Sequence, residues 1–282
     1  MNDEKKNGLV SSVSKAVGIL DCFTREQPEL SLAKLSVMLG MPKSTLLNQL
    51  RTLEEASLIS KTPDGQAYCL GYKLMELGYK TYSSISVISN AVPLMEGVMN
   101  TTGRFVYLTS HLNGRVFYME SVTPAHRNVT YSISGKTLPM HCTACGKAML
   151  SRMSEDAVKE IIERNGLAKI TDNTISDPDE FFEELRLTKL RGYALDNEEE
   201  SYGVKCYAMP ILSAEGAVAG ALSVSGSAIS MKGNPTSEEL DILASACNSL
   251  APYAGMFPAI RQRSIGTVTL PGRLSGAERG TL

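Results

Sequence analysis

The chain has 282 residues, of which 43% are hydrophobic and 21% are charged, as expected for a globular protein long enough for two domains. Its net charge of −2 excludes a protein that coats nucleic acid indiscriminately, although a small DNA-reading domain joined to an acidic domain stays open. No apolar run reaches the ~18 residues that span a bilayer, and MNDEKKNGLV lacks a signal-peptide pattern, so a cytoplasmic protein is predicted.

Apolar residues at helical spacing predict two helices near the N-terminus. Val13, Val17 and Leu20 lie on one side of the first helix. Ser31 suits the N-cap of the second helix, and Gly40 is a fitting terminator.

A third helix is predicted over residues 41–58, after a very short turn. Leu46, Leu50 and Leu53 share one side of this helix, while the opposite side carries short, mostly uncharged polar side chains. Their hydroxyl and amide groups can bond base edges in a major groove, and lysine or arginine at the margins can contact phosphates. The predicted DNA-binding residues are Lys15, Lys43, Ser44, Thr45, Asn48, Gln49, Arg51 and Lys61.

A hairpin is predicted next, because Pro63-Asp64-Gly65 separates two β-like runs near Ile59 and Tyr68. Three helices followed by a hairpin form a winged helix-turn-helix pattern. The same pattern also fits a small helical bundle that binds no nucleic acid. A dimer presenting two such domains would compensate for the modest positive charge of one copy.

The remaining chain has a mixed α and β pattern, which predicts an α+β sensor-like domain with an antiparallel sheet flanked by helices. Asn113-Gly114 predicts a tight hairpin. Further strands are predicted at residues 128–134, 206–212 and 217–226, and helices at 94–102, 148–166, 177–192 and 236–257. The predicted divisions are 1–72 for the DNA-binding domain, 73–92 for a linker helix ending before Pro93, 93–262 for the sensor domain, and 263–282 for a disordered tail.

Two local signatures add to this order of parts. The first is GKTLPMH at 135–141 running into GKA at 146–148; the second is GYALD at 192–196, EEE at 198–200, GVKC at 203–206 and ALSVSG at 221–226. With the predicted element order, they resemble the IclR family of bacterial transcriptional regulators over about residues 11–260.

The resemblance implies an N-terminal winged helix-turn-helix domain, a linker helix and a C-terminal GAF-like domain that binds a small effector. It also implies dimers that often assemble into tetramers, and effectors that are small organic acids or aromatic compounds. Many relatives carry arginine where this chain has Lys15, and lysine contacts phosphate as a point charge rather than through a bidentate pair.

The stretch TLPMHCTACGKAML at residues 137–150 admits several interpretations. His141, Cys142 and Cys145 offer three metal ligands, but the sequence shows no second Cys-x-x-Cys or histidine pair to complete a zinc site. Cys145 near Lys147 could be a catalytic thiol, and Cys142 with Cys145 a redox pair. A phosphate-binding P-loop is excluded because the preceding glycine-rich loop is missing. The fourth interpretation is the wall of a ligand pocket.

The pocket interpretation is favoured because a helix that starts near Cys145 exposes N–H groups to an anion, and Gly146 would let a ligand approach the backbone. Ser223 and Ser225 alternate along a strand and share a face. The resemblance places these positions in the family's effector pocket. The predicted effector-binding residues are Leu138, Met140, Ala144, Cys145, Gly146, Asp196, Cys206, Ser223 and Ser225.

The predicted function is therefore a sequence-specific DNA-binding regulator controlled by a small molecule. The predicted partners are operator DNA, the effector and further copies of the chain; no cofactor, metal or membrane is predicted. The alternatives are a cysteine-dependent enzyme and a small-molecule sensor that does not bind DNA.

Overall fold

The computed structural model describes residues 10–124 and 133–257, which divide into two compact units after Ser84. The first unit contains α1 (Ser11–Leu20), β1 (Glu29–Leu30), α2 (Leu32–Leu39), α3 (Lys43–Glu55), β2 (Ile59–Lys61), β3 (Tyr68–Leu70) and α4 (Tyr72–Ser84). The second contains α5 (Ser86–Thr102), β4 (Phe105–Leu112), β5 (Arg115–Val122), β6 (Thr137–Pro139), α6 (Ala144–Leu150), α7 (Glu155–Asn165), α8 (Pro178–Arg191), β7 (Ala194–Asn197), β8 (Val204–Leu212), β9 (Val218–Ser227), α9 (Ser237–Leu250) and a 3₁₀ helix (Ala251–Met256).

The first unit is a winged helix-turn-helix, as the sequence predicts. Ser31 caps α2 by accepting a hydrogen bond from the Lys34 N–H, and Gly40 ends the helix in the left-handed region with φ +60°. The tight turn that follows leads directly into α3. Buried apolar residues from all three helices, the loop after α1 and the strands form one core: Ile19, Phe23, Leu30, Leu35, Leu46, Leu50, Leu53, Ile59 and Tyr68.

The wing is a small antiparallel sheet in the order β1-β3-β2. Its turn is held by the Thr62 hydroxyl, which donates to the Asp64 carboxylate at 2.5 Å, while Asp64 also accepts from the Gln66 N–H. These bonds within the turn are typical of an aspartate turn and explain why the predicted Pro63-Asp64-Gly65 hairpin forms.

The helical segment after the wing differs from the predicted linker. The sequence predicts one helix that ends before Pro93, but α4 ends at Ser84 and Pro93 lies inside α5. Proline removes one backbone hydrogen bond from a helix interior. Buried Val87, Ala91 and Met95 on α5 belong to the sheet core, and this packing offsets the lost bond.

The second unit is built on a six-stranded antiparallel sheet in the order β6-β5-β4-β9-β8-β7. The predicted hairpin at Asn113-Gly114 is present, with both residues at positive φ as a tight turn requires. Helices α5 and α9 belong to the core on one face of the sheet, and α6 and α8 to the core on the other. The α+β prediction is therefore confirmed.

Helix α6 lies close against the sheet because small side chains meet at this contact. Ala144 and Ala148 of α6 share a buried cluster with Ala194, Ala208 and Ala221 of the strands. Helix α7 then begins at its N-cap Ser154, as predicted. The predicted closing helix stops at Leu250 and continues as the 3₁₀ helix, where Pro252 lacks a backbone donor.

Two of the sequence predictions concern residues that the structure does not describe. Most of the strand predicted at 128–134 and the whole tail 263–282 lie outside the described residues. Within the described residues, none of the helices combines the length and apolar character that crossing a membrane requires.

Candidate functional site

The polar face of α3 is open to solvent in the first unit. Its side chains Ser44, Thr45, Asn48 and Arg51 are exposed, whereas Gln49 is partly buried. Leu46, Leu50 and Leu53 turn the opposite face into the core, so the packing of α3 fixes which side chains point outwards.

The N-terminus of α3 also presents backbone donors. Pro42 is the N-cap, and no described side chain caps this end. The first N–H groups of a helix without a side-chain cap can donate to a phosphate oxygen. Lys43 is exposed beside them.

The two other predicted basic residues differ in their surroundings. Lys15 on α1 is exposed. The Lys61 ammonium lies 3.1 Å from a Glu54 carboxylate oxygen and 5.9 Å from the centre of the Tyr68 ring. Lys61 is therefore already paired with a carboxylate within the first unit.

A cavity of about 450 Å³ lies on the α6 side of the sheet in the second unit. Its floor includes a row of register neighbours on four adjacent strands: Asp196 on β7, Cys206 on β8, Ser225 on β9 and Phe105 on β4. A second row contributes Ser223 of β9 beside Tyr107 of β4.

Most of the predicted effector-binding residues meet at this cavity. Leu138, Ala144, Cys145, Asp196, Cys206, Ser223 and Ser225 all line it. Met140 and Gly146 are not among its lining residues. Gly146 instead packs against the backbone, because a Cβ at this position would lie 2.1 Å from the Met140 carbonyl oxygen. The expectation that a ligand approaches Gly146 is therefore wrong, and tight packing explains the glycine.

The start of α6 offers fewer free N–H groups to an anion than the sequence predicts. Thr143 caps the helix, and its hydroxyl accepts a hydrogen bond from the Gly146 N–H at 3.3 Å. The Lys147 N–H is bonded to the Thr143 carbonyl oxygen at 3.0 Å. This second bond is the first regular bond of the helix, so one of the four N-terminal donors, the Gly146 N–H, is already bonded within the protein.

Several lining residues were not predicted from the sequence. They are Phe105, Tyr107, Tyr118, Ile133, Thr143, Glu200, Ser201, Gly203, Val204, Gly226 and Ser227. Phe105 and Tyr107 alternate along one strand, which was a usable signal for a shared face. Their place in the cavity depends on the pairing of β4 with β9, and the sequence alone does not reveal this pairing.

Cysteine chemistry is disfavoured by the surroundings of the thiols. Burial raises the pKa of Cys145 to about 11 and that of Cys142 to about 12, so both remain protonated near neutral pH. His141 Nε2 donates a hydrogen bond to the Ala168 carbonyl oxygen at 2.9 Å. No group of three histidine, cysteine or acidic side chains in the described part of the chain is placed to hold a metal ion.

A buried ion pair fixes one wall of the cavity. The Lys147 ammonium lies 2.5 Å from a Glu199 carboxylate oxygen, with Lys147 1% exposed. Thr174 donates to the Glu199 carbonyl at 2.6 Å. Glu199 immediately precedes the lining residues Glu200 and Ser201, so the pair ties their turn to α6.

The fold and these two surfaces define a class: a protein with a winged helix-turn-helix domain and a separate α+β domain that encloses a ligand-sized cavity. The model of the bacterial transcriptional regulator IclR C-terminal domain matches residues 79–251, and that of the IclR helix-turn-helix domain matches residues 12–63. The chain belongs to the IclR family of DNA-binding transcriptional regulators, which carry a C-terminal ligand-binding domain.

Individual proteins that resemble this chain are also transcriptional regulators or IclR homologues. The HTH-type transcriptional regulator XynR of Escherichia coli K12 is 33% identical over 218 residues, covering 77% of this chain and 86% of the relative. A crystal structure of an IclR transcriptional regulator from Alicyclobacillus acidocaldarius has a TM-score of 0.77 at 26% identity, covering 88% of this chain and 100% of that one. An IclR homologue from Microbacterium hydrocarbonoxydans, complexed with 4-hydroxybenzoate, has a TM-score of 0.73 over 87% of this chain and 99% of its own; at 20% identity it shows the shared fold alone.

Proposed function

We propose that this regulator reads its operator with the exposed face of α3 and responds to a small organic acid or aromatic compound bound in the cavity beside α6. The observation that carries the first half is the exposed row Ser44, Thr45, Asn48 and Arg51 on a helix whose other face is fixed in the core. Amide and hydroxyl groups at these positions suit base edges, and the guanidinium suits guanine or phosphate.

The proposed DNA contacts separate into two kinds. Asn48, Gln49, Ser44 and Thr45 are base-reading candidates. Phosphate contacts are assigned to the exposed cations Lys15, Lys43, Arg51 and Lys61. Partly buried Gln49 is the least accessible of the base-reading candidates.

The experiment uses a duplex selected from a random pool by the full-length wild-type protein. The double variant Asn48→Ala, Arg51→Ala should bind this duplex at least about 30-fold more weakly, because the lost Asn48 base contact costs about 1–3 kcal/mol and the lost Arg51 phosphate contact adds to this cost. The matched control is Lys159→Ala, Arg186→Ala, which removes two exposed cations from the second unit. Unchanged retardation by the first variant, with both variants folded by circular dichroism, would show that α3 does not read the DNA.

The second half of the proposal assigns the cavity to the effector. Its polar groups include Asp196, Ser223 and Ser225, and its apolar wall includes Tyr107 and Tyr118. This mixture suits a small molecule with one polar end and one apolar or aromatic end. The 4-hydroxybenzoate in the Microbacterium hydrocarbonoxydans homologue is a molecule of that kind.

A thermal-shift screen of small carboxylates and aromatic compounds, beginning with 4-hydroxybenzoate, tests the cavity. A ligand that binds the folded protein raises its melting temperature. Ser223→Leu should remove this shift, because the larger side chain would occupy the cavity. A shift of equal size in Ser223→Leu would place the ligand elsewhere.

The proposed assembly is a homodimer, which could pair further into a tetramer. Helix α4 has no buried residue, yet it exposes Tyr72, Met75, Tyr79 and Tyr82 at alternating spacings of three and four. This spacing is that of a coiled-coil seam. A helix of 13 residues is marginal without packing, so we assign this stripe to pairing with the same helix of a second copy.

The enzyme alternative receives no support from the relatives, which are named as transcriptional regulators. Protonated buried thiols also make poor nucleophiles. We therefore propose no catalytic role for Cys145 or Cys206. A regulator that binds chromosomal DNA would act in the bacterial cytoplasm.

A further inference from the structure

Asp196 is a buried carboxyl group that faces the cavity. The residue is 4% exposed, and its Oδ1 accepts a hydrogen bond from the Glu199 N–H at 2.8 Å. Glu200 is a second carboxyl group in the lining. A carboxylate ligand placed against two ionised carboxylates would be repelled.

The cations near Asp196 lie outside this cavity. Asp196 also borders a second pocket whose lining includes Arg104, Lys205 and Lys232, and Arg104 is paired with Glu239. Lys147 lies 2.5 Å from Glu199 and is almost fully buried, so it belongs to the wall rather than to the cavity surface. Lys136 acts electrostatically on Glu200. Among the described residues that line the cavity, none is lysine or arginine.

The thiols and phenols around Asp196 are neutral near pH 7, including the Cys142 thiol, whose pKa burial raises to about 12. Burial raises the pKa of the Cys145 thiol of α6 to about 11, and it raises that of the Cys206 thiol of β8 well above its usual value. Tyr107 of β4 has its pKa raised to about 12, and Tyr118 of β5 is also raised well above the usual value, again mainly by burial.

Asp196 itself is poised to hold a proton. Burial is the main cause that raises the pKa of its carboxyl group to about 7, and the Glu199 charge adds to the rise. The Glu199 N–H bond and the Lys147 charge oppose the rise without cancelling it. A neutral aspartic acid is a hydrogen-bond donor, as a carboxylate-binding site requires.

We propose that the cavity binds a small monocarboxylate together with one proton, which resides on Asp196 and is donated in a hydrogen bond to the ligand carboxylate. The proton comes from solvent, and no covalent bond of the ligand changes. Ser223 and Ser225 supply further hydroxyl donors from the same face. This inference rests on the proposed function only in taking this cavity as the effector site.

The experiment is calorimetric titration of the full-length protein between pH 6 and pH 8.5. The probes are benzoate, butyrate and glycolate, each compared with its amide. Measurements in two buffers of different ionisation enthalpy count the protons taken up. The dissociation constant of the best carboxylate should be nearly constant below pH 7 and should rise about tenfold per pH unit above it, with close to one proton taken up at pH 8.

Asp196→Asn should still bind the carboxylate, because the amide can donate, but without proton uptake or pH dependence. Asp156→Asn on the exposed face of α7 is the matched control and should behave as wild type. Without ligand, raising the pH from 5 to 8 should lower the melting temperature of the wild type more than that of Asp196→Asn. The folded state binds the extra proton only below about pH 7, so this contribution to stability is lost as the pH rises.

Three results would overturn the proposal: carboxylate binding without proton uptake, pH dependence that disappears in Glu200→Gln but persists in Asp196→Asn, or binding confined to the amides. Failure of all three carboxylates to bind at pH 6 would also overturn it. A different result would contradict the proposed function. If a carboxylate binds together with a proton but leaves operator binding unchanged, the regulatory role alone is contradicted. A carboxylate that weakens operator binding equally at all pH values contradicts the proton link alone.

Discussion

Single residues of the second unit show how closely the cavity and its supporting packing are connected. Gly146 lies one residue beyond the lining residue Cys145, yet it faces the backbone of Met140 rather than the cavity. Lys147, the next residue, is buried and paired with Glu199. Three consecutive positions of α6 thus line the cavity, pack the helix against the chain and fix a turn.

Gly146→Ala should destabilise the second unit by about 3 kcal/mol, the upper end for overpacking, because the new methyl group would meet the Met140 carbonyl. The measurement is the free energy of unfolding in urea. Gly97→Ala is the matched control: it lies in α5 with no atom within 4 Å of the added Cβ, and it should gain about 0.5–1 kcal/mol from helix propensity. A Gly146→Ala protein as stable as Gly97→Ala would contradict this packing role.

Lys147→Met should cost about 3–5 kcal/mol of unfolding free energy, because it leaves the Glu199 carboxylate buried without its cation. Denaturation at several pH values would measure the loss. Lys159→Met removes the cation of an exposed pair with Glu155 and should shift the midpoint very little. Equal shifts in the two variants would mean that the buried pair contributes no more than a surface one.

The sequence predicted some of these residues for the wrong reason. GKA at 146–148 was recognised as a motif, but the pattern could not show that glycine serves packing and lysine a buried ion pair. Both roles depend on partners far along the chain, Glu199 in particular, and side-chain spacing carries no information about such contacts. Ser223 and Ser225 were easier to predict, because alternation along one strand places both on one face.

At the scale of elements, local signals determined most boundaries. Ser31, Gly40 and Ser154 mark helix ends, and Asn113-Gly114 marks a hairpin, because each signal acts within one turn of chain. The linker was mispredicted at Pro93, since tertiary packing of α5 overrides the local preference of proline. Strand order was not predictable, because pairing between β4 and β9 joins residues more than 100 positions apart.

For helix α4, we predict that the exposed stripe forms the contact between two copies of the chain. Tyr79→Glu should convert the proposed dimer to a monomer, or weaken its association at least about 100-fold, because it places a charge in the exposed Tyr72–Met75–Tyr79 stripe. Sedimentation velocity across a concentration series would measure this change. Thr81→Glu introduces the same charge off the stripe and should leave a dimer. A dimer that survives Tyr79→Glu unchanged would place the interface elsewhere.

At the scale of the whole molecule, regulation by an effector requires the cavity and the proposed DNA-reading surface to be energetically coupled. An effector changes operator affinity only if it binds the DNA-binding and non-binding arrangements of the protein with different affinities. The coupling is reciprocal, so operator DNA must change the effector affinity by the same factor. This equality holds whether the effector strengthens or weakens operator binding.

The most direct measurement is a thermodynamic cycle on the full-length protein, using the selected duplex and the strongest ligand from the thermal-shift screen. Operator affinity is measured by fluorescence anisotropy with and without ligand, and ligand affinity by calorimetry with and without operator. We predict the same change of at least about fivefold on both arms, abolished in Ser223→Leu, whose operator binding without ligand remains normal. A ligand that occupies the cavity while both affinities stay unchanged would contradict the account.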